Sequence, residues 1–311
     1  MANKSNEIIA EVKKVIVGKD DVIKKVLMAI LSQGHVLLED IPGVGKTTMA
    51  LSFSRTLGLD YQRVQCTPDT TPSDIIGYSF YQKGSDELEY KPGVVMCNLL
   101  LADEINRTIP RTQASLLESM GEFQVTVDGK TDSLPKPFFV IATQNPIEMD
   151  GTFPLPEAQL DRFLMRIEVG YPSRDEEMTI LERFQEDDPL ENLSSVISLD
   201  DICSFQKKRA SIIISPAVRA YIADIAAASR AHEKVRFGIS PRGTLGMMRA
   251  AQGLAFLRGR DFVKPDDVKE LARPVFLHRI ILKSEERTRG VNTQDILSEL
   301  MEKIPVPVSG S

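Results

Sequence analysis

The stretch LLEDIPGVGKTTMA, Leu37 to Ala50, sets a lysine behind a glycine and two threonines behind the lysine. In the phosphate-loop pattern G-x-x-x-x-G-K-[ST], backbone N–H groups converge on a β-phosphate and the following helix points its positive end there. Gly43 and Gly45 flank the turn that must come closest to phosphate. Lys46 can reach the β- and γ-phosphates, and Thr47 can offer its hydroxyl to Mg²⁺. Asp40 stands where the pattern has its first glycine, but that residue only ends the strand, and Pro42 with its fixed φ can shape the entry instead. Pro42, Gly43, Val44, Gly45, Lys46, Thr47 and Thr48 are therefore the candidate nucleotide-binding residues. The plain alternative is a glycine-rich turn with a chance lysine.

A second constellation is LLLADEIN, in which three leucines and an alanine bury a strand and Asp103 and Glu104 emerge at its carboxyl end. That is where an α/β sheet binds ligand. Asp103 there would hold Mg²⁺, directly or through water, and Glu104 would polarise an attacking water. Acids also suit a helix start on dipole grounds alone. FFVIATQNP adds a third strand end, where Gln144-Asn145 can set an amide beside the same water and the γ-phosphate; Asn before Pro146 is equally a turn former.

Elements able to position these groups are visible in the patterning. HVLLED, Tyr61–Cys66, Asn98–Glu104, Phe138–Gln144 and Arg162–Val169 read as five short strands separated by helices, which predicts a parallel sheet covered by helices. After YPSRDEE the texture changes to helix after helix. Ser198 with Asp201 forms a capping box, Ser215-Pro216 and Ser240-Pro241 read as cap and first helical residue, and Lys264-Pro265-Asp266-Asp267 opens a further helix. Two domains are expected, an α/β nucleotide-binding core over 1–172 and a helical lid over 173–311.

Composition narrows the class. The net charge is −6 with Lys and Arg spread along the chain, so the basic footprint of a general nucleic-acid binder is missing. Cys66, Cys97 and Cys203 lack metal or disulfide spacing, and His35, His232 and His278 are too separated for a metal or acid–base site. The N-terminal segment reads as a polar-faced helix and no long apolar run occurs, so no membrane span and a cytoplasmic location are expected. Met247-Met248, Leu254 and Leu257 have core spacing, and Lys207-Lys208-Arg209 reads as a solvated helix face.

In chain order, IVGK, EDIPGVGKT, TPDTTPSDIIGY, LLLADEINR, QASLLESM, VIATQNP, PLPEAQLDRF and ISPR resemble the motifs of the MoxR family of AAA+ ATPases, from about Ile16 to Ile280. The resemblance implies an α/β fold: a parallel five-stranded AAA+ core sheet with a C-terminal all-helical lid, and ATP with Mg²⁺ at their junction. It implies ATP hydrolysis by a homo-oligomer, often a hexameric ring. It also implies chaperone-like maturation of protein clients, among them proteins with a von Willebrand A domain. Residue by residue, it makes Asn145 the first sensor, Arg162 a finger serving a neighbour and Arg242 the second sensor, which can reach the γ-phosphate only if the lid folds over the core. With Glu104 these complete the catalytic set. Ile16, Val17 and Gly18 would lie near adenine, and Asp40 is a departure that the family tolerates.

One further segment, QASLLESMGEFQVTVDGKTDSLPKPF, runs from an amphipathic helix into alternating residues around Asp128-Gly129, a two-residue hairpin signal. Such a hairpin either resembles the family's pore-side insertions, which contact a client, or is an ordinary surface hairpin. TPDTTPSDIIGYSF carries turn signals and either shapes a protomer interface or connects elements. Two rivals share the nucleotide site: a nucleic-acid motor, clamp loader or transcription activator, which DNA-stimulated turnover would reveal, and a scaffold that binds ATP and scarcely hydrolyses it.

Overall fold

In the computed structural model, residues 2–39, 43, 45–82, 88–145, 151–185 and 188–307 are described. The chain opens with helices α1 (Ala2–Val12) and α2 (Asp20–Leu31), followed by strand β1 (His35–Glu39) and helix α3 (Lys46–Leu57). Strand β2 (Tyr61–Gln65) leads through the one-turn α4 (Pro72–Ile76) to an antiparallel ribbon, β3 (Gly77–Tyr81) and β4 (Leu88–Pro92). Next come β5 (Leu99–Asp103), α5 (Pro110–Glu122), a second ribbon of β6 (Gln124–Val127) and β7 (Lys130–Ser133), and β8 (Phe139–Gln144). The short α6 (Glu157–Leu160) precedes β9 (Phe163–Glu168), the last strand of the main sheet.

The five predicted strands form one parallel sheet in the order β2-β5-β8-β1-β9. Its apolar runs follow from cover on both faces. Val36, Leu38, Leu99, Leu101 and Ile141 enter one core with the N-terminal helices, α3 and the C-terminal helices. Their neighbours Leu37, Leu100, Ala102, Val140 and Ala142 enter a second core with α5. Successive strand residues point to opposite faces, so a strand buried on both sides reads as continuous leucine, valine and alanine.

Beyond the sheet lie α7 (Arg174–Arg183), α8 (Leu199–Ala210), α9 (Pro216–Ala231), β10 (Val235–Phe237), α10 (Pro241–Leu257) and α11 (Pro265–Phe276). After these come β11 (Ile281–Leu282), α12 (Ser284–Thr288) and α13 (Thr293–Lys303). This lid is helical apart from the small β10–β11 ribbon. The expected start signals operate: Ser198 and Asp201 form the reciprocal box of α8, and Ser215 and Ser240 cap α9 and α10.

One surface assignment fails. Lys207 and Lys208 are exposed, but Arg209 is buried and donates to Leu31 O at 3.3 Å, while Gln206 donates to Ile30 O at 2.9 Å. The last carbonyls of α2 have no partner further along their own helix, and these two side chains satisfy them.

Candidate functional site

The phosphate-loop sequence joins the carboxyl end of β1 to α3. Gly43 and Gly45 hold φ of 85° and 81°, and a Cβ on either would meet nothing within 4 Å among the described residues. Both conformations favour glycine. Gly45 caps α3 without a side-chain hydrogen bond, and Lys46, Thr47 and Thr48 make up the helix's first turn. Asp40, Pro42 and Val44 lie outside the described residues.

Sheet order then sets the neighbours. β8 lies between β1 and β5, so the ends of three adjacent strands present the loop, Gln144-Asn145 and Asp103-Glu104 along one edge. Strands are about 4.8 Å apart, which puts the acid pair on the order of 10 Å from the loop. Thr143 Oγ1 donates to Asp103 Oδ1 at 2.6 Å, and Arg63 Nη2 reaches Asp103 Oδ2 at 2.8 Å. Glu104 sits in the left-handed region at φ 56°, with its N–H donating to Thr143 Oγ1 at 2.8 Å. Its Oε2 accepts from Gln65 Nε2 at 3.0 Å and pairs with Arg107 Nε at 3.1 Å. Asn145 is buried, and the neighbouring Gln144 Oε1 is buried with no hydrogen-bond partner among the described residues.

A cavity of about 240 Å³ adjoins the loop, lined by Ile16, Val17, Gly43, Gly45 and Thr48 and closed by Ile180 of α7 and Phe184 just beyond its end. Its apolar wall suits a heterocyclic base and its loop side suits phosphate. Gly18 lies between the lining residues Val17 and Lys19, and a Cβ there would lie 1.9 Å from Glu176 Oε1, so it packs against α7.

Arg162 and Arg242 are elsewhere. With Arg249 and Arg279 they line a cavity of about 360 Å³ that also takes in Gly34 and His35. His35 begins β1 whereas the loop follows its last residue, so the two cavities are separated by the length of the strand, on the order of 13 Å. Arg162 does not pair with the adjacent Asp161. Arg279 Nε holds Asp161 Oδ1 at 2.7 Å, and Ser240 Oγ donates to Oδ2 at 2.7 Å, which ties the start of α10 to the sheet. The Arg162 guanidinium turns to Leu117 O near the end of α5. Gly121 admits it there, since a Cβ would lie 2.7 Å from Arg162 Nη1.

His35 fixes this second region as a neutral group. Val140 N–H donates to Nδ1 at 3.0 Å and Nε2 lies 3.0 Å from Met120 O, while burial pushes the imidazole down to about 4. The ring joins β1, β8 and α5, as expected of a structural histidine.

A phosphate loop after one strand of a parallel sheet, an acid pair on the next strand but one, and a helical lid define a P-loop ATPase of the AAA type. The family described as "ATPase family associated with various cellular activities (AAA)" matches residues 35–165, and an AAA lid domain matches 227–300. The uncharacterized protein YeaC of Bacillus subtilis is 46% identical over 97% of this chain and 95% of its own length. Chaperone MoxR1 of Mycobacterium tuberculosis is 41% identical over 96% of this chain and 81% of its own. A crystal structure of a candidate ATPase from Cytophaga hutchinsonii superposes with a TM-score of 0.91 at 37% identity, covering 99% of this chain and 96% of that one. The chain belongs to the MoxR family of AAA+ ATPases. No helix among the described residues is long and apolar enough to cross a membrane.

Four partners of the acid pair are absent from the sequence analysis: Arg63, Gln65, Arg107 and Thr143. A signal was available for two of them. Arg63 and Gln65 are two apart on β2, hence on one face, and Gln65 lies in register with Asp103.

Proposed function

We propose that the protein hydrolyses ATP at a site completed by a second copy of itself and uses the cycle to remodel or mature protein clients. The observation that carries this reading is the division of the chemistry between two cavities at opposite ends of the sheet. The loop edge holds groups for binding phosphate and activating water; the arginine edge holds cations with no phosphate loop beside them.

At the loop edge Lys46 and the amides of the first turn of α3 bind the phosphates. Mg²⁺, when bound, neutralises charge on the β- and γ-phosphates. Thr47 and Asp103 would hold it: both Asp103 oxygens already accept a bond, and each keeps acceptor capacity. Glu104 orients and polarises the attacking water, and the Asn145 amide positions it against the γ-phosphate. Gln65 and Arg107 both hold Oε2 of the Glu104 carboxylate, so Oε1 is the oxygen that meets the water. Ile16 and Val17 receive the base.

Arg162 and Arg242 serve the neighbour. Both line one cavity, away from their own loop, so a ring of such chains, hexameric by family resemblance, would set each arginine cavity against the next chain's phosphates. The client role extends to this chain the chaperone role in the name of its relative, Chaperone MoxR1; von Willebrand A domain proteins are the client class that the resemblance implies. Specific activity should rise with protein concentration, and Arg162→Ala should bind ATP normally yet hydrolyse it poorly at every concentration. Turnover independent of concentration with a fully active Arg162→Ala variant would overturn the shared site; turnover stimulated by DNA and by no protein would replace the client reading with a nucleic-acid motor.

A further inference from the structure

Helix α7 contains no buried residue. Its inner side faces the loop cavity through Ile180, beside Phe184 just past its end, and Arg183 Nη1 ties it to Lys13 O and Lys14 O at 2.6 and 2.8 Å. Its outer side carries Met178, 46% exposed, and Leu181, 71% exposed, three residues apart and therefore adjacent on the helix. Exposed Glu177 and Glu182 flank them, and Arg174 is paired with its own neighbour Asp175 at 3.7 Å. The outward face is apolar at its centre and acidic around it.

The lid holds a surface of the opposite character. Between α9 and α10 runs a groove of about 270 Å³ with Ile222, Ala226, Leu245 and Met248 in its wall and Arg219 and Arg230 at its rim. None of its lining residues is acidic, and Leu245 is 51% exposed.

We propose that the outer face of α7 docks into the α9–α10 groove of a second copy of this chain, the occupant being that copy and not a client. The inference rests on the shared-site reading and gives it a contact. Two observations select the occupant. The charges match, glutamates around α7 against arginines around the groove. The surfaces are also continuous with the two half-sites: α7 lines the loop cavity, and Leu245 lines both the groove and the arginine cavity. Docking therefore sets the partner's arginine cavity next to the helix that closes this chain's loop cavity. Because the two patches differ, the contact is head-to-tail and repeats around a ring.

Cysteine cross-linking tests it. In full-length chains with Cys203→Ser, Leu181→Cys is placed on one chain and Leu245→Cys on another; Cys66 and Cys97 are buried. Mild oxidation with ATP present should give a disulfide-linked dimer in the mixture at least tenfold above either variant alone. A dimer from Leu181→Cys alone would make the contact isologous and overturn the proposal. Absence of the mixed dimer in samples that co-assemble by sedimentation would overturn it too, as would a chain that stays monomeric with ATP. Leu181→Asp, at an exposed position, should fold with an unchanged melting temperature and weaken self-association at least tenfold; unchanged association contradicts the docking. Since the cross-link reads contact and not turnover, arginines that act across copies without it would remove this interface and leave the shared site standing.

Discussion

The carboxyl edge of the central sheet and its amino edge are built by different means. At the carboxyl edge each group for phosphate or water lies at a strand end: the loop after β1, Asp103 ending β5 with Glu104 next to it, and Asn145 after β8. At the amino edge the arginines are gathered from distant parts of the chain, Arg162 before β9, Arg242 and Arg249 on α10, and Arg279 after α11, and held by contacts between sheet and lid. A site made of strand ends is local and complete in what it offers phosphate. A site made of packed arginines has no phosphate of its own to serve.

The contrast can be broken at its strongest point first. Arg162→Ala should lower kcat by roughly 10³–10⁵, the worth of a cationic finger supplied in trans, with ATP affinity retained. Arg242→Ala should fall in the same direction. Loss of ATP binding in either variant would place that arginine at its own loop. Next in size, Glu104→Gln should keep ATP binding and lose on the order of 10²–10⁴ in turnover, whereas Lys46→Ala should lose binding itself, because the lysine acts on ground-state phosphate and the carboxylate on water. Equal loss of binding in both would contradict those roles.

Smaller effects sharpen the amino edge. Asp161→Ala leaves the Arg279 side chain, 2% exposed, without its carboxylate, and should cost about 3–5 kcal/mol of stability by denaturant unfolding. A loss under ~1 kcal/mol would make the Ser240–Asp161–Arg279 link dispensable. His35 predicts a pH response. Burial holds the folded imidazole near 4 against an unfolded value near 6.5, so the unfolded chain takes up the proton first on acidification. Stability should fall as pH drops from 6.5 to 4, by about 1.4 kcal/mol per pH unit from this group, and His35→Gln should flatten that slope. An unchanged slope would remove His35 from the account.

Legibility in the sequence follows the same division. The five strands, the loop, the acid pair and the Asp128-Gly129 turn were readable because each depends on neighbours along the chain; that turn has positive φ at both residues, as such a hairpin requires. The β3–β4 ribbon was not. Tyr78, Phe80, Tyr81 and Leu88 are exposed, so no buried face imposes an alternating pattern on it. Arg209 and Arg279 could not be separated from solvated arginines, since their burial depends on which carbonyls α2 and β9 leave open, a tertiary fact. Ile16 and Val17 were placed beside the base by family resemblance alone. The structure sets them on the loop cavity and shows Ile180 and Phe184 opposite, which spacing could not reveal.

The shared site is tested most directly by mixing two inactive chains. Lys46→Ala lacks a working phosphate loop and Arg162→Ala lacks the finger, so a co-assembled ring sets some intact loops beside an intact Arg162 from the other chain. The account predicts ATP turnover above the sum of the two variants measured alone, greatest at intermediate mixing ratios. Mixtures shown to co-assemble that hydrolyse no more than that sum would contradict it.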